Sequence, residues 1–499
     1  MLPSPSESRA KGMVVANPLS NPLSYIPAAG GDADDDIDDA LPTGSADTED
    51  SEANSFQGAG HRAMSLEAFF REVKSGSNTH RVAINMSNAI IGAGIIGMPY
   101  ALRISGFGFG LLLLFLMAFI THSSISYLVS SGISLRARSF EQTALLALGV
   151  WGERAVLAAQ FAFDYGAALS YLIIVGDTST QIMELALGHS FSGLRQLCIG
   201  FVAFAFCLPL CLMRDIANLE KFSIFSVATV LLVTVMLIGK LLAASGNTPR
   251  FSELPFLPNS LDVVVSIGIF SFAFVCNDCI FLYYNTLERG SAARFRYVTT
   301  LALIGSSALT SLLGCVGLVS FGNSTKANIL NNYPDDDPVA TIMRAFYVIT
   351  MVLTYPICFF VCRQVLHVLL QDFTREERTD VRSITQSRHI AYTLAIFLSS
   401  VGIVMKVESL GMVMSITGNV AGSALGYILP GLIALSPAVR EGLCRDGNYI
   451  DGPQLADRSN ISTSNVLNWL GTSAQQRGPS ALVLFGIITV ILGILVVCI

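Results

Sequence analysis

Long apolar runs that lack Asp, Glu, Lys and Arg recur along this chain and predict helices that cross a lipid bilayer. Residues 106–130, 222–238 and 479–499 are three such runs. Each is close to the ~20 helical residues that cross ~30 Å of hydrocarbon. A helix of a soluble protein would interrupt such runs with polar residues at helical period. One run could be a buried core helix, but many in succession predict an all-α integral membrane protein.

The apolar runs, taken together with turn and charge signals, predict about eleven transmembrane helices. Only Lys406 and Glu408 mark the turn between the ninth and tenth of them. The predicted spans are 81–104, 107–130, 154–186, 194–213, 216–243, 262–286, 293–320, 338–362, 389–407, 408–434 and 477–499.

Composition separates an acidic N-terminal region from the rest. Charged residues make up 13% of the chain and hydrophobic residues 52%, against about 25% charged in soluble proteins. Much of the acid lies in residues 1–77, at Asp32, Asp34, Asp35, Asp36, Asp38 and Asp39. Such a stretch, rich in Ser, Ala, Pro and Gly, buries too little apolar surface to fold. We predict a disordered acidic cytosolic tail over 1–77, either plainly solvated or regulatory, and a transmembrane domain over 78–499.

The distribution of Lys and Arg predicts the orientation in the membrane. The loop 363–388 carries Arg363, Arg375, Arg378, Arg382 and Arg388, whereas the loop 321–337 is acidic at Asp335, Asp336 and Asp337. The first loop is therefore predicted inside and the second outside. This places the N-terminus in the cytosol and, with an odd number of spans, the C-terminus in the lumen or outside the cell. A vacuolar or lysosomal membrane and the plasma membrane both fit.

Two predicted spans carry polar residues and glycines at membrane depth. The first contains Asn85, Ser87, Asn88, Gly92, Gly94 and Gly97, and the sixth contains Ser271, Asn277 and Asp278. Non-helical backbone in a membrane persists only where protein encloses it or it lines a cavity. A binding site built on interrupted helices is one interpretation, and close helix packing through small residues is the other.

These two spans begin two blocks of five predicted helices, 81–243 and 262–434, which a last helix at 477–499 follows. A five-plus-five arrangement with broken first helices is typical of inverted-repeat transporters. The amides that begin a half-helix can receive a carboxylate, and the carbonyls that end one can receive an ammonium group or a cation. A zwitterionic amino acid suits such a site.

Residues 85–99, which read N-x-S-N-A-I-I-G-A-G-I-I-G-M-P, resemble the first helix of the amino acid/auxin permease family. The resemblance is closest to its branch of sodium-coupled neutral and vacuolar amino acid transporters. Further matching segments are 170–177, 209–214, 272–276, 328–334 and 353–356. Together the matches span residues 80–434. The resemblance implies the LeuT-like fold of the APC superfamily and coupled amino acid transport.

The resemblance also implies roles for particular residues. The backbone amides of Gly92, Ala93 and Gly94 would bind the substrate carboxylate. The carbonyls of Ser271 and Phe272 would bind its ammonium group, and Phe274 would border the side-chain pocket.

The resemblance also leads us to expect a binding site for a coupling ion. Asn88 and Thr354 match a cation site between the first and eighth helices of sodium-coupled members, and interhelical hydrogen bonding is the alternative. Asp164, an acid inside the third span, either carries a coupling proton or accepts structural hydrogen bonds. Asn277 and Asp278 depart from the residues common in the family, which leaves the gate there undetermined.

The leading prediction is a secondary active transporter that moves neutral amino acids by alternating access, coupled to H⁺ or Na⁺. An amino acid-sensing receptor that signals through the tail is the alternative. The chain has no HExxH motif, nucleophile elbow or P-loop, so we do not expect an enzyme. The CxxC spacing of Cys276 and Cys279 lacks the context of a metal or redox site. We expect a monomer whose partners are its substrate and the bilayer, with no metal, nucleic acid or cofactor beyond the coupling ion.

Overall fold

The computed structural model describes residues 79–92, 94–213, 220–244, 256–258, 262–287, 292–374, 385–439 and 474–498. Regular structure within these ranges is helical throughout, which confirms the all-α prediction. The predicted tail 1–77 and Ala93 lie outside the described residues.

The helices in these ranges follow the order of the predicted spans. In chain order they are α1 Thr79–Ile91, α2 Met98–Ser105, α3 Phe107–Ser134, α4 Phe140–Leu148, α5 Val150–Leu187, α6 Leu194–Cys211, α7 Glu220–Ala243, α8 Val263–Phe274, α9 Ile280–Thr286, α10 Ala292–Phe321, α11 Pro338–Thr374, α12 Gln386–Val404, α13 Leu410–Leu435 and α14 Ala474–Cys498.

The described helices correspond in position to the predicted spans, but not all of the spans are single helices long enough to cross a membrane. Nine of them are long and apolar enough to cross a membrane, and a tenth span arises if α1 and the helical segment Gly94–Ser105, which meet at 48°, are counted together. The sixth predicted span, 262–286, consists of two short helices, α8 and α9, on either side of residues 275–279. Both spans that carry mid-membrane polar residues are thus interrupted.

Two helical features depart from the expected boundaries. The helix α4 lies between the second and third spans and begins at the cap Ser139, whose hydroxyl accepts from the amide of Gln142 at 3.1 Å. The eighth span, predicted to end at 362, continues in α11 to Thr374. Its extension holds a buried Arg363, which donates to the carbonyl of Cys211 at 2.8 Å. Polar residues that typify a loop are helical here because neighbouring helices bury and bind them.

The packing pairs equivalent helices of the two blocks. The third spans of the two blocks, α5 and α11, lie against each other along much of their length, and α8 packs against α2 and the 3-10 turn at 94–97. The broken spans therefore meet in the middle of the bundle, beside the long α5.

Candidate functional site

The first helix break follows Ile91. Gly92 adopts a φ of +27°, a conformation that disfavours any residue with a side chain. Its amide still donates to the carbonyl of Asn88 at 3.1 Å, which closes the last turn of α1. The chain resumes as a 3-10 helix over Gly94–Gly97 and continues into α2. The first amides of this second half have no partner inside their own helix and carry the positive end of its dipole.

The second helix break follows Phe274. Val275 is extended, and its amide donates to the carbonyl of Ser271 at 3.0 Å, the last such bond of α8. Helix α9 does not begin until Ile280. The carbonyls that follow Ser271, from Phe272 onward, are those that a helix end leaves without an internal partner. The ammonium-binding role expected of the Ser271 and Phe272 carbonyls stays a prediction. The Ser271 carbonyl already accepts from the amide of Val275, whereas the Phe272 carbonyl lies beyond the last hydrogen bond of α8.

The two breaks lie in direct contact. A Cβ atom built on Gly94 would lie 2.5 Å from the Cβ of Ala273 and 2.8 Å from its Cα. Real Cβ atoms do not approach other atoms so closely, so only glycine allows this separation. The amide end of one half-helix is thereby held against the carbonyl end of the other.

Helix α5 contributes the third wall of the site. The hydroxyl of Tyr171 lies 3.5 Å from the position that a Cβ on Gly92 would take. The rings of Phe163 and Phe272 lie 5.7 Å apart. Tyr171, Phe272 and Phe274 are all buried. The segment 170–177 is one of those that resemble the family, but the resemblance assigns Tyr171 no role, because its position beside Gly92 depends on how α5 is rotated.

The predicted cation ligands, Asn88 and Thr354, make no hydrogen bond to each other in the described residues. Asn88 is buried, and its Oδ1 has no hydrogen-bond partner among the described residues. Thr354 donates to the carbonyl of Thr350 in its own helix at 2.7 Å. Helix α1 packs chiefly against α10 and α7. A cation between Asn88 and Thr354 therefore stays a prediction.

Asp164 is a buried carboxyl group in the middle of α5. It is 4% exposed, and its Oδ2 has no hydrogen-bond partner in the part of the chain that the structure describes. Cys358 of α11 and Asp278 of the second break are its electrostatic neighbours. A charged carboxylate in such surroundings is costly unless a proton or cation accompanies it.

A polar network links three elements at the predicted outer end of the bundle. Asp177 accepts from Arg195 Nε at 3.1 Å and from Asn331 Nδ2 at 3.3 Å. Arg195 also donates to the carbonyl of Val404 at 3.2 Å. The segment that holds Asn331 is anchored by the fully buried Ile329. We call Asp177, Arg195 and Asn331 the outer network. Sequence reasoning missed it because its members belong to three different elements.

Known proteins resemble this chain over most of its length. The family model described as "Transmembrane amino acid transporter protein" matches residues 75–438. The protein named "Putative sodium-coupled neutral amino acid transporter 11" from Danio rerio is 31% identical over 384 residues, 75% of this chain and 82% of that protein. "Vacuolar amino acid transporter 2" from Saccharomyces cerevisiae is 26% identical over 370 residues, 72% of this chain and 76% of that protein.

A solved structure shares the fold. Mhp1, a nucleobase-cation-symport-1 family transporter solved in a closed conformation with bromovinylhydantoin, aligns with a TM-score of 0.53 and 14% identity. The alignment covers 83% of this chain and 91% of Mhp1. The fold is thus the LeuT-like transporter fold that the family resemblance implied. With the family model matched over residues 75–438, the chain belongs to the transmembrane amino acid transporter family.

Proposed function

We propose that this protein is a secondary active transporter that binds neutral amino acids between its two helix breaks and moves them by alternating access. The observation that carries the proposal is the contact between Gly94 and Ala273. It holds an amide-rich helix start and a carbonyl-rich helix end side by side at membrane depth. Those two ends complement the two charges of a zwitterion.

The binding mode follows from the chemistry of the walls. The substrate carboxylate is received by the amide of Gly94, with Gly92 and Ala93 as the other predicted donors, and the Tyr171 hydroxyl adds a donor beside them. The amide of Gly92 donates to the carbonyl of Asn88 in this structure and would have to release it to bind substrate. The ammonium group is received by carbonyls at the end of α8, with Ser271 and Phe272 as the predicted pair. The rings of Phe272 and Phe274 border the substrate side chain, and buried aromatic rings favour an uncharged one.

Alternating access requires that the two ends of the bundle open in turn. In this proposal the outer network is the closure of one end, and the two hydrogen bonds that Asp177 accepts from Arg195 and Asn331 support it. Release of these bonds would admit substrate from the outer side.

The coupling ion in this proposal is H⁺ or Na⁺. Relatives named as sodium-coupled favour Na⁺ at Asn88 and Thr354, and the buried Asp164 favours H⁺. A relative named as vacuolar supports a vacuolar-type membrane. The distribution of Lys and Arg supports a cytosolic N-terminus.

Uptake by the purified full chain in liposomes tests the proposal. Labelled neutral amino acids are supplied under an imposed pH gradient, an imposed Na⁺ gradient, or neither. We expect accumulation above the equilibrium level under at least one gradient. Specific binding of an amino acid without flux under either gradient would reject the transporter and favour the receptor alternative.

A further inference from the structure

A stripe of buried polar side chains runs along α5 from its predicted cytosolic end to the helix breaks. Its members are Glu153, Gln160, Asp164 and Tyr171, at successive spacings of seven, four and seven residues. These spacings place all four on one face of a helix. Each side chain is 6% exposed or less. The stripe thus faces the protein interior, although α5 is a membrane span.

Two atoms of this stripe have no partner. Gln160 Oε1 and Asp164 Oδ2 are buried and make no hydrogen bond to the described residues. Folded proteins leave few buried polar atoms unsatisfied, and the exceptions call for a bound water, ion or proton. The two side chains are one helical turn apart, a rise of about 6 Å. They form two adjacent positions at which a water, an ion or a proton can bind.

Two further carboxyl groups face this stripe from other elements. Asp278 lies in the second break and neighbours both Asp164 and Glu141. Glu141 lies in the first turn of α4, beside Gln160 and Ser139. The three carboxyls therefore connect the middle of the bundle with the short helix at its predicted cytosolic face. Asp278 and Glu141 are both partly exposed, whereas Asp164 is buried.

The other titratable groups recorded around these carboxyls are thiols, phenols and one more acid. They are Cys276, Cys279, Cys358, Cys362, Tyr171, Tyr283 and Glu153. In the ranges that the structure describes, no three His, Cys, Asp or Glu side chains converge on a metal position. Asp278 neighbours Asp164 on one side and Glu141 on the other, which places the three carboxyls in series. Burial raises the pKa of Glu141, which lies outside the spans, although bonds from its own amide, Ser139 and Gln160 oppose the shift.

We propose that Glu141, Asp278 and Asp164, with Gln160 between the ends, form a path that carries the coupling proton between the cytosol and the substrate site. This carboxyl path deepens the proposed function and rests on it. In each step a protonated carboxyl gives its proton to the next carboxylate, so the acceptor becomes neutral and the donor becomes charged. The total charge of the path changes only when a proton enters or leaves at the cytosolic end or at the substrate end. The amide of Gln160 orients groups by hydrogen bonding and neither gains nor loses a proton.

Two assays on the reconstituted full chain separate the path from the transport site. The first measures exchange of labelled for unlabelled amino acid at equal pH on both sides, which requires no net proton movement. The second measures net uptake driven by a pH gradient, with a pH-sensitive dye inside the liposomes. The variants are Glu141→Gln and Asp278→Asn, which keep the shape of the side chain and remove the titrating proton. The matched control is Glu184→Gln, an acid at the other end of α5 that Ser190 contacts.

In both path variants we expect gradient-driven uptake and the dye signal to fall at least about tenfold. The rate of amino acid exchange should stay within about twofold of the wild-type rate. The control should retain both activities. An equal loss of exchange and driven uptake, or driven uptake that persists in both variants, would overturn the path.

Two outcomes separate the path from the function on which it rests. Wild-type uptake that follows a Na⁺ gradient and ignores a pH gradient would overturn the path and leave amino acid transport standing. Wild-type protein that is folded and shows neither exchange nor uptake would overturn the proposed function and the path together. Size-exclusion profiles of each variant establish that it is folded.

Discussion

The contact between the two helix breaks makes Gly94→Ala the most informative single substitution. The new methyl group would lie 2.5 Å from the Cβ of Ala273 and 2.8 Å from its Cα. Carbon atoms in contact prefer separations of about 3.5–4.0 Å. The two half-helices must therefore move apart by roughly 1 Å to accept one methyl group.

The size of the effect follows from the cost of overpacking. Forcing an added methyl group into a tight contact costs about 1–3 kcal/mol. If that cost falls on the state in which both breaks hold the substrate, its population drops by about 5- to 150-fold. We expect uptake of a neutral amino acid to fall at least about fivefold in Gly94→Ala. Membrane insertion should persist, because the substitution adds only one methyl group to an apolar span.

The assay is the initial rate of uptake of a labelled neutral amino acid, normalised to the amount of folded protein in the liposomes. Gly305→Ala is the matched control, because a Cβ at Gly305 meets no atom within 4 Å. The double variant Gly94→Ala/Ala273→Gly removes the partner methyl group and should recover part of the lost rate. A wild-type rate in Gly94→Ala, or a double variant no faster than the single one, would refute the close approach of the breaks.

Three further predictions concern residues around the site and the outer loops. Tyr171→Phe removes the hydroxyl beside Gly92 and should raise the KM for substrate several-fold with little change in maximal rate. A fall in maximal rate as large as the rise in KM would point to misfolding. Arg195→Gln removes the ion pair with Asp177. A cysteine introduced on the outer side of the helix breaks should then be labelled faster by a water-soluble thiol reagent. Unchanged labelling would contradict closure by the outer network. Asp337 accepts from the amides that begin α11 and pairs with Lys240. Burial acts to raise the pKa of Asp337, but the interactions with Lys240 and the amides outweigh burial and hold that pKa below its usual value. The lowered pKa means that this carboxylate stabilises the fold above the usual Asp pKa and loses that contribution as pH falls through the lower folded value. Asp337→Ala should therefore lower the Tm more at pH 7 than near pH 3, and equal shifts at both would contradict the assignment.

The membrane spans and the two interruptions were predictable from residues close together in the chain. An apolar run has to match only the thickness of the bilayer, so its length decides whether it spans. Gly92 and Gly94 among Asn and Ser mark a break because exposed backbone in hydrocarbon is costly wherever it occurs. The segment 85–99 also carried the family resemblance, and the matched family model confirms it.

Tertiary packing determined which residues contact one another across the bundle. Nothing near Gly94 in the chain identifies Ala273, and nothing near Gln160 identifies Glu141. The outer network likewise joins Asp177, in the third span, to a residue of the loop before the eighth. A membrane helix is apolar on most of its surface, so composition does not reveal which face meets another helix. The rotation of α5 therefore decides where Tyr171 and the polar stripe lie.

The boundaries that were wrong have the same cause. Residues after 362 were predicted to form a loop because Arg363 and its polar neighbours resemble one, yet α11 continues to Thr374. Arg363 is satisfied by the carbonyl of Cys211, which is distant in the chain. By itself the sequence determined that the chain crosses the membrane many times as helices and where two of the spans break. Only the tertiary structure decided which atoms meet at those breaks, because close contacts depend on the register and rotation of whole helices.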